Sequence, residues 1–70
     1  MKRTPVKSSN LRDVGYAPKD KLLEVGFQSG HVYQFTGVHS NTHRALMAAP
    51  SKGKSFWKNV RGKYPFEKVS

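Results

Sequence analysis

Cysteine is absent from this 70-residue chain, which excludes disulfide staples and thiolate metal sites and points away from an oxidising compartment. Acids are scarce: four Asp and Glu stand against thirteen Lys and Arg. Asp13, Asp20, Glu24 and Glu67 are scattered, mostly at turns or beside basic residues, so paired-carboxylate chemistry has little to draw on. Long apolar runs are missing too, and none approaches the ~20 residues that cross a bilayer. Lys2 and Arg3 make a basic start with no apolar stretch behind it, so a secretory signal is not expected and the domain reads as cytoplasmic. Ser, His and Asp occur, but no Gly-x-Ser-x-Gly elbow brings them together. A chain this short does not readily close a reaction pocket. The expectation is a non-enzyme with no cofactor and no metal.

Positive charge is abundant and unevenly placed, with a formal net of +9. Residues 1–10 hold Lys2, Arg3 and Lys7 without an acid, and in residues 11–40 the two signs cancel. Residues 41–70 hold Arg44, Lys52, Lys54, Lys58, Arg61, Lys63 and Lys68 against Glu67. A clustered excess favours polyanions and speeds their association, whereas an even one would speak only for solubility.

Hydrophobic residues make up 36% of the chain, enough for one thin core. A domain of about 60 residues buries only ~60% of its unfolded surface. Residues 1–5 read as a flexible basic lead-in, 6–66 as the single domain and 67–70 as a tail, with a short edge strand possible at 66–69. From Leu11 the pattern has period two, with Arg12, Val14 and Tyr16 on one side of a strand and turn residues at 17–20. A second strand places Leu23, Val25 and Phe27 on one face, and a third runs from His31 to Thr36. A three-residue loop with Gly30 left-handed pairs Phe27 with His31, Val25 with Tyr33 and Leu23 with Phe35. A two-residue turn would set that apolar face against a mixed one, and a one-residue slip inverts every side chain. The four-residue loop at 17–20 places Val14 opposite Leu23.

The resulting apolar face needs a cover. Ser40 is a candidate N-cap for a helix through Ala49, with Thr42, Ala45, Leu46 and Ala49 on one side, ended by Pro50. Ser51 can cap a second helix to about Arg61, stopped by Gly62 and Pro65. Phe56, Trp57, Val60 and Tyr64 fall on an arc of about 100°, the stripe a helix buries. The expected fold is α+β: a three-stranded antiparallel β-meander followed by two short helices packed on one face.

Several residues together resemble a known family. They are Ser8-Ser9, Val14-Gly15-Tyr16, Leu23-Glu24-Val25-Gly26-Phe27, Ser29-Gly30 and Val32-Tyr33-Gln34-Phe35. Gly37-Val38, Ala49-Pro50-Ser51-Lys52-Gly53, Phe56, Arg61 and Tyr64-Pro65 follow. Their order and spacing resemble the KTSC domain over roughly residues 6–66. That module occurs at the C-terminus of some lysyl-tRNA synthetases and as small standalone bacterial and phage proteins. Two departures stand out. The family's Tyr-x-Tyr is Tyr33-Gln34-Phe35 here, and its Gly-Val-Pro is Gly37-Val38-His39, which weakens the start of the first helix. The resemblance implies RNA binding only through the synthetase context and supplies no catalytic residues.

Candidate site residues each have a structural reading beside the functional one. Tyr33 and Phe35 could stack bases, but sharing a face with Leu23 and Val25 favours core. Lys52-Gly53-Lys54-Ser55 looks like the end of a P-loop, yet Ala48 stands where that motif needs its first Gly. A helix start that offers free N–H groups to a phosphate oxygen remains open, as does an ordinary cap with Gly53 serving close packing. Lys54, Lys58 and Arg61 form an i, i+4, i+7 basic stripe with Trp57 at its seam, either stacking surface or core. His39 and His43 have chelating spacing but lack the third ligand that zinc needs.

These readings converge on a small basic module that binds nucleic acid, RNA or single strands in preference to duplex DNA. Binding is phosphate-dominated and weakly sequence-specific, since no helix sets Arg, Asn and Gln at base-reading positions. The expected binding residues are Lys52, Lys54, Trp57, Lys58, Arg61 and Lys63, on a monomer with no membrane partner. The competing reading is a protein-interaction module, such as a small phage effector, that docks its basic helix on an acidic protein surface.

Overall fold

The computed structural model describes residues 2–70. Five strands form one antiparallel sheet in sequence order: β1 (Thr4–Pro5), β2 (Leu11–Ala17), β3 (Leu22–Phe27), β4 (Val32–Phe35) and β5 (Phe66–Lys68). Helices α1 (Ser40–Ala48) and α2 (Lys52–Asn59) lie between β4 and β5 in the chain. The α+β class and the helical cover on one face are as the sequence predicts, and the sheet gains an edge strand on each side of the meander. Thr4 and Pro5, inside the expected lead-in, pair with Val14 and Asp13. The expected tail at 67–70 is likewise engaged: Glu67 and Lys68 pair with Gln34 and Tyr33, and Val32 N–H donates to the Ser70 carbonyl at 3.0 Å. Met1 lies outside the described residues.

The β3–β4 hairpin adopts the predicted register, with Leu23 opposite Phe35 and Val25 opposite Tyr33. Gly30 supplies the left-handed residue at φ 97°, a conformation that costs an L side chain steric strain. Phe27 N–H donates to the His31 carbonyl at 2.9 Å and closes the loop.

The β2–β3 register differs from expectation. Val14 lies opposite Val25, and Tyr16 opposite Leu23. The turn is 18–21 rather than 17–20, with Ala17 joining the ladder opposite Leu22. Lys21 then takes the left-handed end position at φ 51°. A shift of two residues preserves the pleat, so the inward face is unchanged. One further irregularity does alter it. The register breaks between Leu11 and Asp13, a bulge that pushes Arg12 outward and turns Leu11 into the core.

Leu11, Val14, Leu23, Val25 and Phe35 from the sheet meet Leu46, Phe56 and Val60 from the helical half, with Val38 from the connection. Helix α1 starts one residue earlier than a Ser40 cap requires: His39 is the cap, and its Nδ1 accepts from Asn41 N–H at 3.4 Å. Leu46 is buried, with Thr42, Met47 and Ala49 partly covered, while Ala45 faces solvent. Helix α2 ends at Asn59, short of Arg61. Gly62 at φ 82° turns the chain away as expected. Phe56 and Val60 are buried, but Trp57 is 54% exposed and does not complete the core.

Candidate nucleic-acid interface

The first turn of α2 faces the β1–β2 connection across an open groove of about 760 Å³. Lys52, Lys54 and Lys58 line it from the helix, Lys7 from the connection, and Trp57 adds an aromatic wall. Ser8, Ser9, Asn10 and Ser51 supply short polar groups. Among the described residues, no acidic side chain lines the groove.

Local chemistry holds the connection in place. Ser8 Oγ accepts from the N–H groups of Asn10 and Leu11, both at 3.2 Å. Gln28 Nε2 donates to the Leu11 carbonyl at 3.0 Å, and the Asn10 carbonyl accepts from Gln28 N–H at 2.8 Å. A Cβ at Gly53 would meet Ser8 Oγ at 3.4 Å, so the connection packs directly on the helix start. Lys7 thus comes within reach of the α2 lysines although 45 residues separate it from Lys52 in sequence. Its signal was visible as the acid-free basic segment 1–10, but periodicity gave that segment no partner.

The electrostatics of this helix start are unusual. Ser51 occupies the cap position without making a side-chain capping bond, and no acid stands in the first turn. Lys52 and Lys54 occupy that turn instead, where the helix dipole disfavours cations by ~0.3–1 kcal/mol each. Lys52 Nζ is partly committed, donating to the Ala49 carbonyl at 3.1 Å. An anion in the groove would reverse this local repulsion.

Expected site residues are divided by the structure. Lys52, Lys54, Trp57 and Lys58 line the groove. Arg61 lies beyond the helix end, its guanidinium 4.4 Å from the centre of the Trp57 ring, and lines a second hollow with Trp57. Lys63 is exposed in the turn after α2 and lines neither. Phe35 is buried at 3% exposure and is no stacking platform, whereas Tyr33 is half-buried. His39 caps α1, and His43 stacks on Tyr16 at 4.7 Å. Burial there pulls the His43 pKa below its ordinary value.

The KTSC domain family model matches residues 7–64. The chain belongs to this family. A KTSC domain protein from Yersinia pestis has a crystal structure that superposes with a TM-score of 0.93 at 37% identity, covering 99% of this chain and 97% of that one. An uncharacterized protein of Stutzerimonas stutzeri is 43% identical over 56 residues, 80% of this chain and 79% of its own length. A lysine–tRNA ligase of Nostoc punctiforme is 36% identical over 64 residues, 91% of this KTSC chain but 11% of the ligase. The KTSC unit is therefore a small part of such ligases.

Proposed function

We propose that this KTSC domain binds nucleic acid, preferring RNA or other single strands, mainly through phosphates and with little base specificity. The acid-free groove that gathers Lys7, Lys52, Lys54 and Lys58 beside Trp57 carries the reading. Four ammonium groups around an open trough suit a chain of phosphates, and lysine contacts position a backbone without reading sequence. The helix start adds N–H groups to the same trough. Kinship with part of a tRNA ligase is consistent with an RNA partner, and such a module would act in the cytoplasm. No catalytic role is proposed.

Titration of generic single-stranded RNA at several salt concentrations, read by emission of Trp57, tests this. For single strands log K falls with log salt by ~0.7 per phosphate neutralised. Replacing Lys7, Lys54 and Lys58 by Gln should therefore remove about 2 from the slope. A parent protein that ignores RNA at low salt but forms one saturable complex with an acidic protein would overturn the reading in favour of a protein-interaction module.

A further inference from the structure

The second hollow, of about 240 Å³, lies on the other side of Trp57. Its floor is aromatic and buried: Phe35 and Phe56 meet edge to face with ring centres 5.5 Å apart. Two walls stand half out of solvent, Trp57 at 54% from α2 and Phe66 at 56% from β5. Phe66 also packs against Tyr33 at 5.6 Å, which continues the aromatic lining. The hollow is smaller than the ~300–1,000 Å³ that enclose a drug-sized ligand, so it suits one planar ring system rather than a whole nucleotide.

Its neighbours narrow the chemistry. Trp57 lines both hollows, so whatever enters one abuts the other. Arg61 lies over Trp57 at 4.4 Å and keeps a cation at the mouth, while His31 and Ser29 place polar groups on the rim. A neutral apolar segment would satisfy the floor and make no use of the lysines next door. A polyanion without bases would use the lysines and leave two large aromatic rings exposed to water. A ligand that is anionic and planar-aromatic by turns uses both, and a single strand of nucleic acid has that alternation. Aromatic stacking of unpaired bases is strong and tolerant of sequence.

We propose that the aromatic hollow holds one unpaired base of a single strand whose phosphates lie in the lysine groove, with Trp57 between the two subsites. This deepens the phosphate-binding reading and rests on it. The test compares oligoadenylate RNA with an abasic phosphodiester oligomer of equal length and charge, each titrated against the parent domain, Phe66→Ala and Phe66→Leu. Phe66 is on an exposed edge strand, and thermal melts check that both variants remain folded. The leucine variant keeps apolar volume while removing the π-face.

Parent protein should bind oligoadenylate more tightly than the abasic oligomer. Phe66→Ala should weaken oligoadenylate by roughly 5- to 150-fold, the range for removing one stacking partner. Phe66→Leu should lose affinity in the same direction, with abasic binding and the salt slope unchanged in both variants. Equal affinity for the two oligomers, with a lysine-dependent salt slope retained, would overturn the base subsite and leave the phosphate reading standing. Binding of neither oligomer would overturn both. A Phe66-dependent complex with an acidic aromatic peptide, formed while both oligomers are ignored, would assign the hollow to a protein segment and overturn the proposal.

Discussion

The two faces of this domain treat charge in opposite ways. On the helix-free face of the sheet, outward positions of β2, β3 and β5 carry Asp13, Glu24 and Glu67. Arg3 serves two of these acids, lying 3.3 Å from Asp13 Oδ1 and 3.4 Å from Glu24 Oε2. Gln34 Nε2 donates to Glu24 at 2.8 Å. On the helical face, Lys7, Lys54 and Lys58 gather in a groove that, among the described residues, no acid lines. The pleat makes this sorting possible, because period two sends the strand acids outward while the apolar positions face the helices. On the first face Asp13 and Glu24 are matched by Arg3 and Arg12. The other carries unmatched charge: four of the thirteen Lys and Arg, namely Lys7, Lys52, Lys54 and Lys58, line one groove with no acid among the described residues that line it.

Phe56 joins the helices to the sheet physically. It is 1% exposed and meets Phe27 at 5.3 Å and Phe35 at 5.5 Å, edge to face in both cases. Phe56→Ala should cost ~3–5 kcal/mol, the range for deleting a buried aromatic. A domain of this size has a total stability of roughly 0.05–0.15 kcal/mol per residue, so denaturant melts should find the variant's midpoint sharply lowered. An unchanged midpoint would show that the helices hardly stabilise the sheet.

A smaller effect probes the matched face. A Cβ added at Gly26 would collide with Asp13 Oδ1, which lies against Gly26 from the neighbouring strand. Gly26→Ala should displace that carboxylate from Arg3 and cost ~1–3 kcal/mol, as overpacking does. Urea denaturation checks it, and the groove's salt slope toward RNA should stay as in the parent.

Smaller again is the pH response of α1. Desolvation lowers the His43 pKa in the folded state, so the unfolded chain binds the proton more readily. Stability should then be full above the unfolded value of about 6.5 and fall as pH drops through it toward the folded value. His43→Gln should flatten that part of a stability–pH profile measured by thermal melts, and an identical profile would remove His43 as the cause. Least affected should be the unmatched face. Changing Lys7, Lys54 and Lys58 to Gln should alter stability by no more than about 0.5 kcal/mol, because none of them has an ion-pair partner among the described residues and the dipole cost of Lys54 in the first turn of α2 is offset by the gain from Lys58 in the last.

Much of this was legible in the residues. Alternation at Leu23-Val25-Phe27 and Tyr33-Phe35, with Gly30 between, determined the central hairpin because only one register buries both faces. Phe56 and Val60 marked the buried side of α2. Other features depended on interactions that local pattern does not contain. The bulge at Arg12 changes the parity of Leu11, and the turn moves by one residue to end on a left-handed Lys21, a conformation that no local pattern marks. Thr4–Pro5 is too short to announce a strand and exists by pairing with its neighbour, whereas Phe66–Lys68 falls within the edge strand that residues 66–69 offered. Within the candidate site, the lysines of α2 were visible as a stripe, but its division at Trp57 was not, since the helix ends before Arg61. Lys7 enters through a connection fixed by Ser8 and Gln28, a long-range contact with no periodic signature.

The most direct test of the asymmetry is an amide NMR titration of the domain with a short oligoadenylate RNA. Binding at the unmatched face predicts shift changes at residues 7–10 and 52–58 and at the Trp57 indole, with Asp13, Glu24 and Gln34 unmoved. Changes concentrated on Asp13, Glu24 and Gln34, or none at saturating RNA, would contradict the account.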